Sequence, residues 1–328
     1  MNRYSQPVHM GSNLRIFSGN SHPVLAHKIA ECLRVPVGAM TLTRFNDGEI
    51  RVQVEESARG MDVFIVQPTC SPVNDNLMEL LILIDAFRRA SAERITVVMP
   101  YYGYARQDKK IKPREPVTAR LIADLITEAG ATRAVCIDLH AGQIQGFFKI
   151  PVDHLYAGPL IADYLYQKGM SNGDICVVSP DVGGVTRARA MAEFLQTSIA
   201  IIAKRRPEPG KVEITEIIGD VVGKTCIMVD DMIDTGGSIV HGAEALMKRG
   251  AKEIYACCTH PVLSTSAVDK IAHSPIKELV VTDTIPMRHA LPVPNVEVTV
   301  LSVAPLLADA IRRIHSDDSV SELFDRAW

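Results

Sequence analysis

CIMVDDMIDTGGSIV, at residues 226–240, is the stretch from which we predict the architecture of the chain. Its first four residues are all apolar, which is typical of a strand buried on both faces in a parallel sheet. Residues 239–249 carry apolar side chains at helical spacing and stop at a glycine. Between the two lie the carboxylates of Asp230 and Asp231 and the run Asp234-Thr235-Gly236-Gly237-Ser238. We therefore predict a strand, an acidic corner, a glycine-rich loop and a helix.

The residues around the double glycine are suited to hold a phosphate group. Gly236 and Gly237 allow backbone conformations with positive φ, so that successive N–H groups can point at one oxyanion. Thr235 and Ser238 add hydroxyl donors, and the N-terminus of the following helix adds the positive end of its dipole. The loop is therefore predicted to cradle a phosphate.

The paired carboxylates suit another part of the same ligand. Ionised Asp230 and Asp231 only accept hydrogen bonds, and adjacent sugar hydroxyls donate them. A molecule with a phosphate at one end and a cis-diol at the other fits both features, and ribose 5-phosphate is such a molecule. The alternative is an ordinary strand–turn–helix with a solvated acidic turn. Such a turn needs neither two carboxylates nor a T-G-G-S run.

The length and composition of the chain indicate two domains. With 328 residues the chain is too long for one ordinary domain and fits two of roughly 150 residues each. Hydrophobic residues make up 47% and charged residues 22%, as in globular proteins with a sizeable core. The net charge of −3, without a dominant basic tract, argues against nucleic-acid binding through a charged surface.

We expect a cytoplasmic protein with reduced cysteines. No apolar run is long enough to cross a bilayer, so no membrane association is expected, and residues 1–13 lack the hydrophobic core of a signal peptide. The seven cysteines include no C-x-x-C motif, and several lie in predicted strands. Buried thiols explain them better than disulfides or a zinc site.

Two stretches in the first half of the chain have the composition of a ligand site. Residues 101–115, YYGYARQDKKIKPRE, place three tyrosines before five cations. Tyrosine faces can stack on a base and cations suit a polyphosphate, although a mobile basic surface loop has the same composition. Residues 44–49, RFNDGE, indicate by themselves only a hairpin corner with an exposed aromatic side chain.

Two strand ends carry candidate metal ligands. His140 directly follows a predicted strand at 134–139, and Asp181 lies just after a predicted strand at 175–179. Ligands collect at the carboxyl ends of strands in open α/β sheets, although a lone histidine is more often structural. An imidazole and a carboxylate with open coordination positions resemble a nucleotide–Mg²⁺ site more than a structural zinc site, which would need four ligands.

A loop is predicted at residues 204–211, because two prolines and a glycine argue against regular structure there. Lys204, Arg205 and Arg206 place three cations at its start. Lids that close over a phosphate transition state have this composition, and so do many surface turns.

Two stretches of the chain run parallel in sequence. The segment 48–66 matches the segment 210–229 in its apolar pattern, with glycine spacings of 12 and 13. After the first segment comes Gln67-Pro-Thr-Cys70, without an acidic pair or a double glycine. We therefore predict two similar α/β domains, each a mainly parallel sheet flanked by helices. They are an N-terminal domain at 1–153 and a C-terminal domain at 154–328 that keeps the sugar-phosphate loop.

The chain resembles the class I ribose-phosphate pyrophosphokinases over nearly its whole length. The stretch at 229–238 is similar to the ribose-phosphate loop of the phosphoribosyltransferase fold, which that family shares with the phosphoribosyltransferases. Further stretches carry the resemblance: RFNDGE (44–49), NDNLMELL (74–81), YGYARQDKK (102–110), DLHAGQIQGFF (138–148), VVSPDVGG (177–184) and KRR (204–206). It implies two phosphoribosyltransferase-like domains. It also implies transfer of the diphosphoryl group of ATP to the anomeric hydroxyl of ribose 5-phosphate, which gives 5-phosphoribosyl 1-diphosphate and AMP for nucleotide biosynthesis.

The resemblance also implies roles for individual residues. Those implied to bind ATP, in part across a subunit boundary, are Phe45, Asp47, Gly48, Glu49, Arg106, Gln107 and Asp108. Those implied to bind ribose 5-phosphate are Asp230, Asp231, Asp234, Thr235, Gly236, Gly237 and Ser238. His140 and Asp181 match the magnesium positions of the family, Lys204 its catalytic lysine and Arg206 a neighbouring arginine. Members of the family are commonly homohexamers, activated by inorganic phosphate and inhibited by ADP. The resemblance therefore implies a homohexamer that binds ATP and ribose 5-phosphate as substrates and phosphate and ADP as allosteric effectors.

The chain departs from the family pattern at two positions. Ser238 stands where threonine is frequent, which keeps the hydroxyl. Lys149 stands where some relatives have an acid, so no metal role is carried over to that region.

Two other functions compete with this interpretation. A phosphoribosyltransferase would need a base-recognition hood, which we do not find, and would leave the ATP-related stretches unexplained. A non-catalytic regulatory relative should have lost parts of the site, yet His140, Lys204, Arg206 and the T-G-G-S loop are all present. The sequence therefore favours an enzyme that uses ATP.

Overall fold

The protein folds into two α/β units, in a computed structural model that describes residues 13–205, 214–264, 266–287 and 292–323. Within these limits the first unit contains residues 13–155, 284–286 and 303–323, and the second contains residues 156–283 and 287–302. The side chains of residues 204, 205, 214 and 215 are outside the description. The division at 153 and 154 stays a prediction, but the chain returns to the first unit at 303–323.

The first unit is built on a parallel sheet and a separate antiparallel hairpin. Its elements are β1 (Leu14–Ser18), α1 (Pro23–Leu33), β2 (Met40–Arg44), β3 (Ile50–Val54), β4 (Asp62–Val66), α2 (Val73–Arg89), β5 (Arg94–Met99), α3 (Thr118–Ala129), β6 (Arg133–Ile137), a 3₁₀ helix (Gly142–Phe147) and β7 (Val152–Leu155). The five-stranded sheet has the order β1-β4-β5-β6-β7, and β2 pairs with β3.

The second unit is built on one larger sheet. The remaining elements of the chain are α4 (Gly158–Gln167), β8 (Ile175–Ser179), α5 (Val185–Leu195), β9 (Ser198–Arg205), β10 (Ile214–Ile218), β11 (Thr225–Ile233), α6 (Gly237–Lys248), β12 (Glu253–Pro261), α7 (Ala267–Ala272), β13 (Ile276–Thr282), β14 (Glu297–Leu301), α8 (Ala304–His315) and a 3₁₀ turn (Ser321–Leu323). The seven-stranded sheet has the order β10-β9-β8-β11-β12-β13-β14. Its strands are parallel except for β10. The last two elements, α8 and the 3₁₀ turn, belong to the first unit, where α8 packs against α1.

The two units repeat one order of strands. The run β1-β4-β5-β6-β7 corresponds to β8-β11-β12-β13-β14, and the antiparallel pair β2–β3 corresponds to β9–β10. Val37, just before β2, forms a parallel bridge with Ile16 of β1, where β9 pairs with β8 along its length. The predicted pair of similar α/β domains with mainly parallel sheets is confirmed.

The order of strands in the second sheet reverses between β8 and β11. The chain passes from β8 to β9 on one side and from β11 to β12 on the other. Right-handed crossovers in opposite directions place their helices on opposite faces of the sheet. Met191 of α5 accordingly lies in one core cluster with Ile227, and Leu246 of α6 lies in another with Met228. A crevice therefore opens at the carboxyl ends of β8 and β11, the usual place of a ligand in an open α/β sheet.

β11 is longer than the sequence predicts. It stays paired with β12 as far as Ile233, opposite Pro261, whereas we predicted that it ends at Val229. Asp230 and Asp231 therefore lie within the strand and not in a corner after it. The apolar pattern failed here because the carboxylates continue the backbone pairing while interrupting the hydrophobic run.

β9 extends into the segment at 204–211 that we predicted as a loop. Its antiparallel pairing with β10 extends to Arg205, opposite Ile214. Lys204, which we predicted at the start of a loop, therefore has a strand backbone.

The cysteines and helices bear on two further predictions. All seven cysteines are free, and all but Cys32 are buried, as predicted for reduced thiols. None of the helices within the described residues is both long enough and apolar enough to span a bilayer.

A buried carboxylate joins α4 to the edge of the second sheet. Glu278 of β13 is fully buried, and its Oε1 accepts hydrogen bonds from the hydroxyls of Tyr164 at 2.6 Å and Thr299 at 2.8 Å. Its Oε2 forms an ion pair with Lys168. Burial raises the pKa of Glu278, but these partners lower it by more, so the pKa lies below its usual value.

We predict that Glu278→Gln lowers the free energy of unfolding by about 2 kcal/mol near neutral pH, because it removes charge-assisted hydrogen bonds from a buried group. A carboxyl group whose pKa is lowered by folding contributes stability that is present above its unfolded pKa and is lost as the pH falls. The difference in Tm between wild type and variant, measured by calorimetry, should therefore shrink at about pH 4.

Glu253→Gln is the matched control, since Glu253 forms an exposed ion pair with Lys277 at 3.0 Å, and such pairs contribute little. A Tm difference for Glu278→Gln that stays constant between neutral and acidic pH would contradict this account.

Candidate active site

The acid pair lies where β11 extends past its neighbour. β8 pairs with β11 as far as Met228, and beyond that point β11 continues beside β12. Asp231 is only 5% exposed, and Oδ1 of Asp230 accepts the backbone N–H of Asp231 at 2.8 Å. The two carboxylates therefore belong to a paired strand rather than to a loop.

Arg187, on the first turn of α5, faces both carboxylates. Its Nη1 lies 3.6 Å from Oδ1 of Asp230 and 3.8 Å from Oδ1 of Asp231. Burial and the neighbouring Asp231 raise the pKa of Asp230 to about 8, and Arg187 acts in the opposite direction. A perturbed carboxylate pair in a crevice is typical of a functional site. Its acceptor oxygens suit a ligand that brings hydroxyl donors.

The glycine-rich turn lies between β11 and α6. Gly236 precedes the helix with φ = 74°, a left-handed conformation that favours glycine, and a Cβ there would lie 3.4 Å from the backbone of Ala267. Gly237 is instead the first residue of α6, so only one of the two glycines needs positive φ. No side chain in the described residues caps α6. The helix N-terminus and the exposed hydroxyls of Thr235 and Ser238 are therefore suited to bind an anion.

Contacts from the segment after β12 hold this turn in place. The Ser264 hydroxyl donates to Oδ1 of Asp234, and the Ser264 backbone N–H donates to the Asp234 carbonyl at 3.0 Å. Nζ of Lys270 donates to the carbonyl of Thr235 at 3.2 Å. Asp234 thus serves the shape of the turn in this structure.

The turn after β8 places Asp181 at the beginning of α5. The Ser179 hydroxyl donates to the carbonyl of Asp181 at 2.7 Å, and Oδ1 of Asp181 accepts the N–H of Gly184 at 2.8 Å. The Asp181 side chain is exposed. The second unit therefore brings the Asp181 turn, Arg187, the acid pair and the glycine-rich turn to the ends of two adjacent strands.

The predicted catalytic cations are described only in part. Lys204 lies near the end of β9, where its backbone pairs with Thr215 of β10. Its side chain and the whole of Arg206 lie outside the described residues. Their roles stay predictions.

The loop after β5 carries three of the predicted ATP residues. Arg106 and Gln107 are exposed, and Gln107 accepts a hydrogen bond from the Thr118 hydroxyl at 2.5 Å. Asp108 is 7% exposed and accepts from Nε2 of Gln143 at 2.9 Å. Arg106 and Gln107 thus lie on the surface, whereas Asp108 is placed to support the loop.

The tyrosines of this loop are mostly internal. Tyr101 and Tyr102 are 7% and 2% exposed, and the hydroxyl of Tyr102 donates to the carbonyl of Ala119 at 2.7 Å. Tyr104 is half-buried, and its hydroxyl donates to Asn74. The hypothesis that Tyr101 and Tyr102 stack on a base is wrong, because both side chains are buried and that of Tyr102 packs in the core with residues of α3.

The other predicted ATP residues lie at the tip of the β2–β3 hairpin. Phe45 is 52% exposed, and Gly48 has φ = 97°. Oδ1 of Asp47 accepts the backbone N–H of Glu49 at 3.1 Å. The hairpin therefore presents an aromatic ring and two carboxylates outward.

The first turn of α2 connects this hairpin with the loop after β5. Nη2 of Arg44, the last residue of β2 before the tip of the hairpin, lies 3.4 Å from Oδ2 of Asp75. The neighbouring Asn74 accepts the hydrogen bond from Tyr104. Asn74 and Asp75 begin the sequence motif at 74–81, and these two contacts explain why polar residues stand at its start.

His140 follows β6 and is exposed. The backbone before it is held by a hydrogen bond from the Leu139 N–H to Nε2 of His154 at 2.8 Å. His140 lies in the first unit and Asp181 in the second. Across the described ranges, no group of three or more His, Cys, Asp and Glu side chains could hold a metal ion by itself. A metal at either residue would therefore need oxygen ligands from a substrate.

Arg187 is a site residue that sequence reasoning missed. The helix after the Asp181 turn is visibly rich in arginine, but nothing in the spacing shows which arginine faces the crevice. Its position one turn after a glycine-rich strand end is the only signal in the sequence.

Comparison with known proteins gives concordant results for both halves of the chain. A family model described as the N-terminal domain of ribose phosphate pyrophosphokinase matches residues 14–130, and one described as a phosphoribosyl synthetase-associated domain matches residues 204–325.

Relatives match the chain along nearly its full length. The chain is 55% identical over 319 residues to a ribose-phosphate pyrophosphokinase of Clostridium tetani, covering 97% of this chain and 99% of the relative. It is 57% identical over 312 residues to ribose-phosphate pyrophosphokinase 2 of Enterococcus faecalis, covering 95% and 96%. A crystal structure of phosphoribosylpyrophosphate synthetase from Mycobacterium smegmatis superimposes with a TM-score of 0.88 at 46% identity, covering 93% of this chain and 99% of the other.

Gly236→Ala is expected to lower the free energy of unfolding by about 1 kcal/mol or more, because alanine is strained at positive φ. The loss should be visible as a lower midpoint in urea denaturation.

Gly237→Ala is the matched control. Gly237 is helical, and its Cβ would meet nothing closer than Oγ1 of Thr235 at 3.8 Å. We expect a change within about 0.5 kcal/mol. Equal effects of the two substitutions would show that the turn does not depend on the left-handed conformation.

Proposed function

The chain belongs to the ribose-phosphate pyrophosphokinase family, and we propose that its second unit binds the sugar phosphate while its first unit binds ATP. The enzyme transfers the diphosphoryl group of ATP to the anomeric hydroxyl of ribose 5-phosphate, which yields 5-phosphoribosyl 1-diphosphate and AMP for nucleotide biosynthesis. One observation carries the proposal for the second unit: an acid pair with a buried Asp231 and a partly buried Asp230 lies on the strand that leads into α6, at the point where the strand order reverses, and no side chain among the described residues caps the N-terminus of that helix.

In the sugar site, the acid pair and the glycine-rich turn have separate tasks. Asp230 and Asp231 accept hydrogen bonds from the adjacent hydroxyls of ribose. Residues 234–238, with the N-terminus of α6, bind the 5-phosphate through backbone N–H groups and the hydroxyls of Thr235 and Ser238. Binding at both ends fixes the direction in which the anomeric hydroxyl points.

In the first unit, two exposed segments bind ATP. Phe45, Asp47, Gly48 and Glu49 on the hairpin contact the adenine, in part from a neighbouring subunit, and Arg106 and Gln107 contact the phosphates. Support comes from the exposure of Phe45 and from the contacts of α2 with both segments. Asp108 supports the loop through Gln143.

The chemistry is an in-line attack of the anomeric hydroxyl on the β-phosphorus of ATP, with AMP as the leaving group. Such a transfer depends on positioning and on spreading the developing negative charge. Lys204 and Arg206 supply positive charge to the transition state, as implied by their match to the family motif.

His140 in the first unit and Asp181 in the second are each proposed to bind Mg²⁺ that phosphate oxygens of the nucleotide also coordinate. Both side chains are exposed at the ends of strands, and imidazole and carboxylate donors with open positions fit a cation that a nucleotide carries in. The cation would neutralise phosphate oxygens during the transfer.

The assembly and its regulation are proposed from the resemblance to the family. We infer a homohexamer in the cytoplasm, with phosphate as activator and ADP as inhibitor. The outward hairpin with Phe45 supports a contribution of one subunit to the ATP site of another.

The function is tested by incubating the purified protein with ATP, ribose 5-phosphate and Mg²⁺ and measuring AMP by chromatography. We expect AMP and 5-phosphoribosyl 1-diphosphate in equal amounts, and none when ribose replaces ribose 5-phosphate. Release of ADP and phosphate independent of the sugar, or no AMP at all, would contradict the assignment.

Lys204→Ala is predicted to lower kcat by roughly 10²-fold or more, because it removes charge stabilisation from the transition state. The affinity for ribose 5-phosphate, measured by calorimetry, should change little. Lys252→Ala, an exposed lysine just before β12, is the control and should retain the wild-type kcat. A near-normal kcat for Lys204→Ala would exclude this role.

A further inference from the structure

Arg187 lies between the Asp181 turn and the acid pair of Asp230 and Asp231. It is the third residue of α5, the helix that the Asp181 turn begins, and its side chain is 22% exposed. Its Nη1 lies between Oδ1 of Asp230 and Oδ1 of Asp231, at 3.6 and 3.8 Å. These are ion-pair distances and longer than a hydrogen bond, so the guanidinium is shared between the two acids.

The packing of α5 does not depend on this side chain. The helix is anchored in the core by buried apolar residues, among them Ala188, Met191 and Leu195. Arg189, two residues further along, is exposed. A half-buried arginine that points at two carboxylates therefore serves the carboxylates rather than the helix.

The acid pair needs a cation in its unliganded state. Two adjacent carboxylates disfavour each other's ionisation, and burial adds to the effect. Among the side chains that the structure describes, the titratable and charged groups that face Asp230 include Asp231 on its own strand, Arg187 on α5 and the Cys258 thiol opposite it on β12. Since the thiol is buried and its pKa is raised, Arg187 is the positive group among them.

The ionisation of the pair decides how it meets a sugar. Two ionised carboxylates accept hydrogen bonds from two neighbouring hydroxyls, whereas a proton on either one turns an acceptor into a donor. A positive group that favours loss of this proton therefore prepares the site for a cis-diol.

We propose that Arg187 is a positioning residue of the sugar site, which favours the ionised form of Asp230 and Asp231 and so prepares both to accept hydrogen bonds from the hydroxyls of ribose. This role rests on the proposed binding of ribose 5-phosphate by the second unit. Helix α5 would then take part in recognising the sugar hydroxyls, separately from the turn at 234–238 that binds the phosphate.

The test is the pH dependence of ribose 5-phosphate binding, measured by isothermal titration calorimetry without ATP. The affinity of the wild type should rise with pH as the pair loses its proton. In Arg187→Met, which keeps much of the side chain's bulk without the charge, the midpoint should move up by about one pH unit. Arg187→Lys should keep a midpoint near that of the wild type. The titration of the ligand's own phosphate is common to all proteins and cancels in the comparison.

Arg189→Met is the matched control, which removes an exposed arginine from the same helix and should leave the midpoint unchanged. Arg187→Gln is measured beside Arg187→Met, so that a neutral variant is available if methionine is not tolerated in the fold. Thermal unfolding of every variant checks that the fold is intact.

An unmoved midpoint in the neutral variants, even with weaker binding at all pH values, would overturn the proposal, because a merely structural loss does not change the titration of the pair. A wild type that binds no ribose 5-phosphate at any pH would overturn the function proposed for the second unit as well. A wild type with normal binding and variants with an unmoved midpoint would overturn the role of Arg187 alone.

Discussion

Two carboxylates held side by side within β11 are the constraint on which the second unit depends. The strand carries them past the end of β8, so they face a crevice that the reversal of strand order opens. Asp231 is buried and the pKa of Asp230 is raised to about 8, which makes the pair costly unless cations and hydrogen-bond donors surround it. Arg187 supplies positive charge to the pair, and a sugar with adjacent hydroxyls supplies hydrogen-bond donors. The glycine-rich turn that follows the pair is suited to bind the phosphate of the same sugar.

The first unit has the same order of strands but a different use for the corresponding corner. Gln67, just after β4, is at the position equivalent to Asp230 of β11. Asn20, two residues after β1, is at the position equivalent to Asp181, two residues after β8. Between them lies the buried carboxylate of Glu79, which accepts hydrogen bonds from the Asn20 N–H at 2.7 Å and from Nε2 of Gln67 at 2.8 Å. A group of the protein thus occupies the corner. The residues assigned to ATP lie instead on the hairpin and on the loop after β5, so duplication of the fold led to two different sites.

The sequence predicts the repeated α/β architecture and the phosphate turn because both depend on local patterns: apolar runs, glycine spacing and a helix start. It does not predict what depends on contacts between distant segments. The pairing with β12 extends β11 through its acids, the core beneath α3 takes up Tyr102, and the crevice selects Arg187 from a helix with several polar residues. The return of α8 to the first unit is likewise a property of packing, since its apolar face fits α1.

The most direct measurement of the central claim is a crystal structure of the protein with ribose 5-phosphate and no nucleotide. The account predicts the 5-phosphate on the N–H groups and hydroxyls of residues 235–238, and the two ring hydroxyls within hydrogen-bond distance of Asp230 and Asp231. A sugar bound in the reverse direction, or a crevice left empty at saturating ligand, would contradict it.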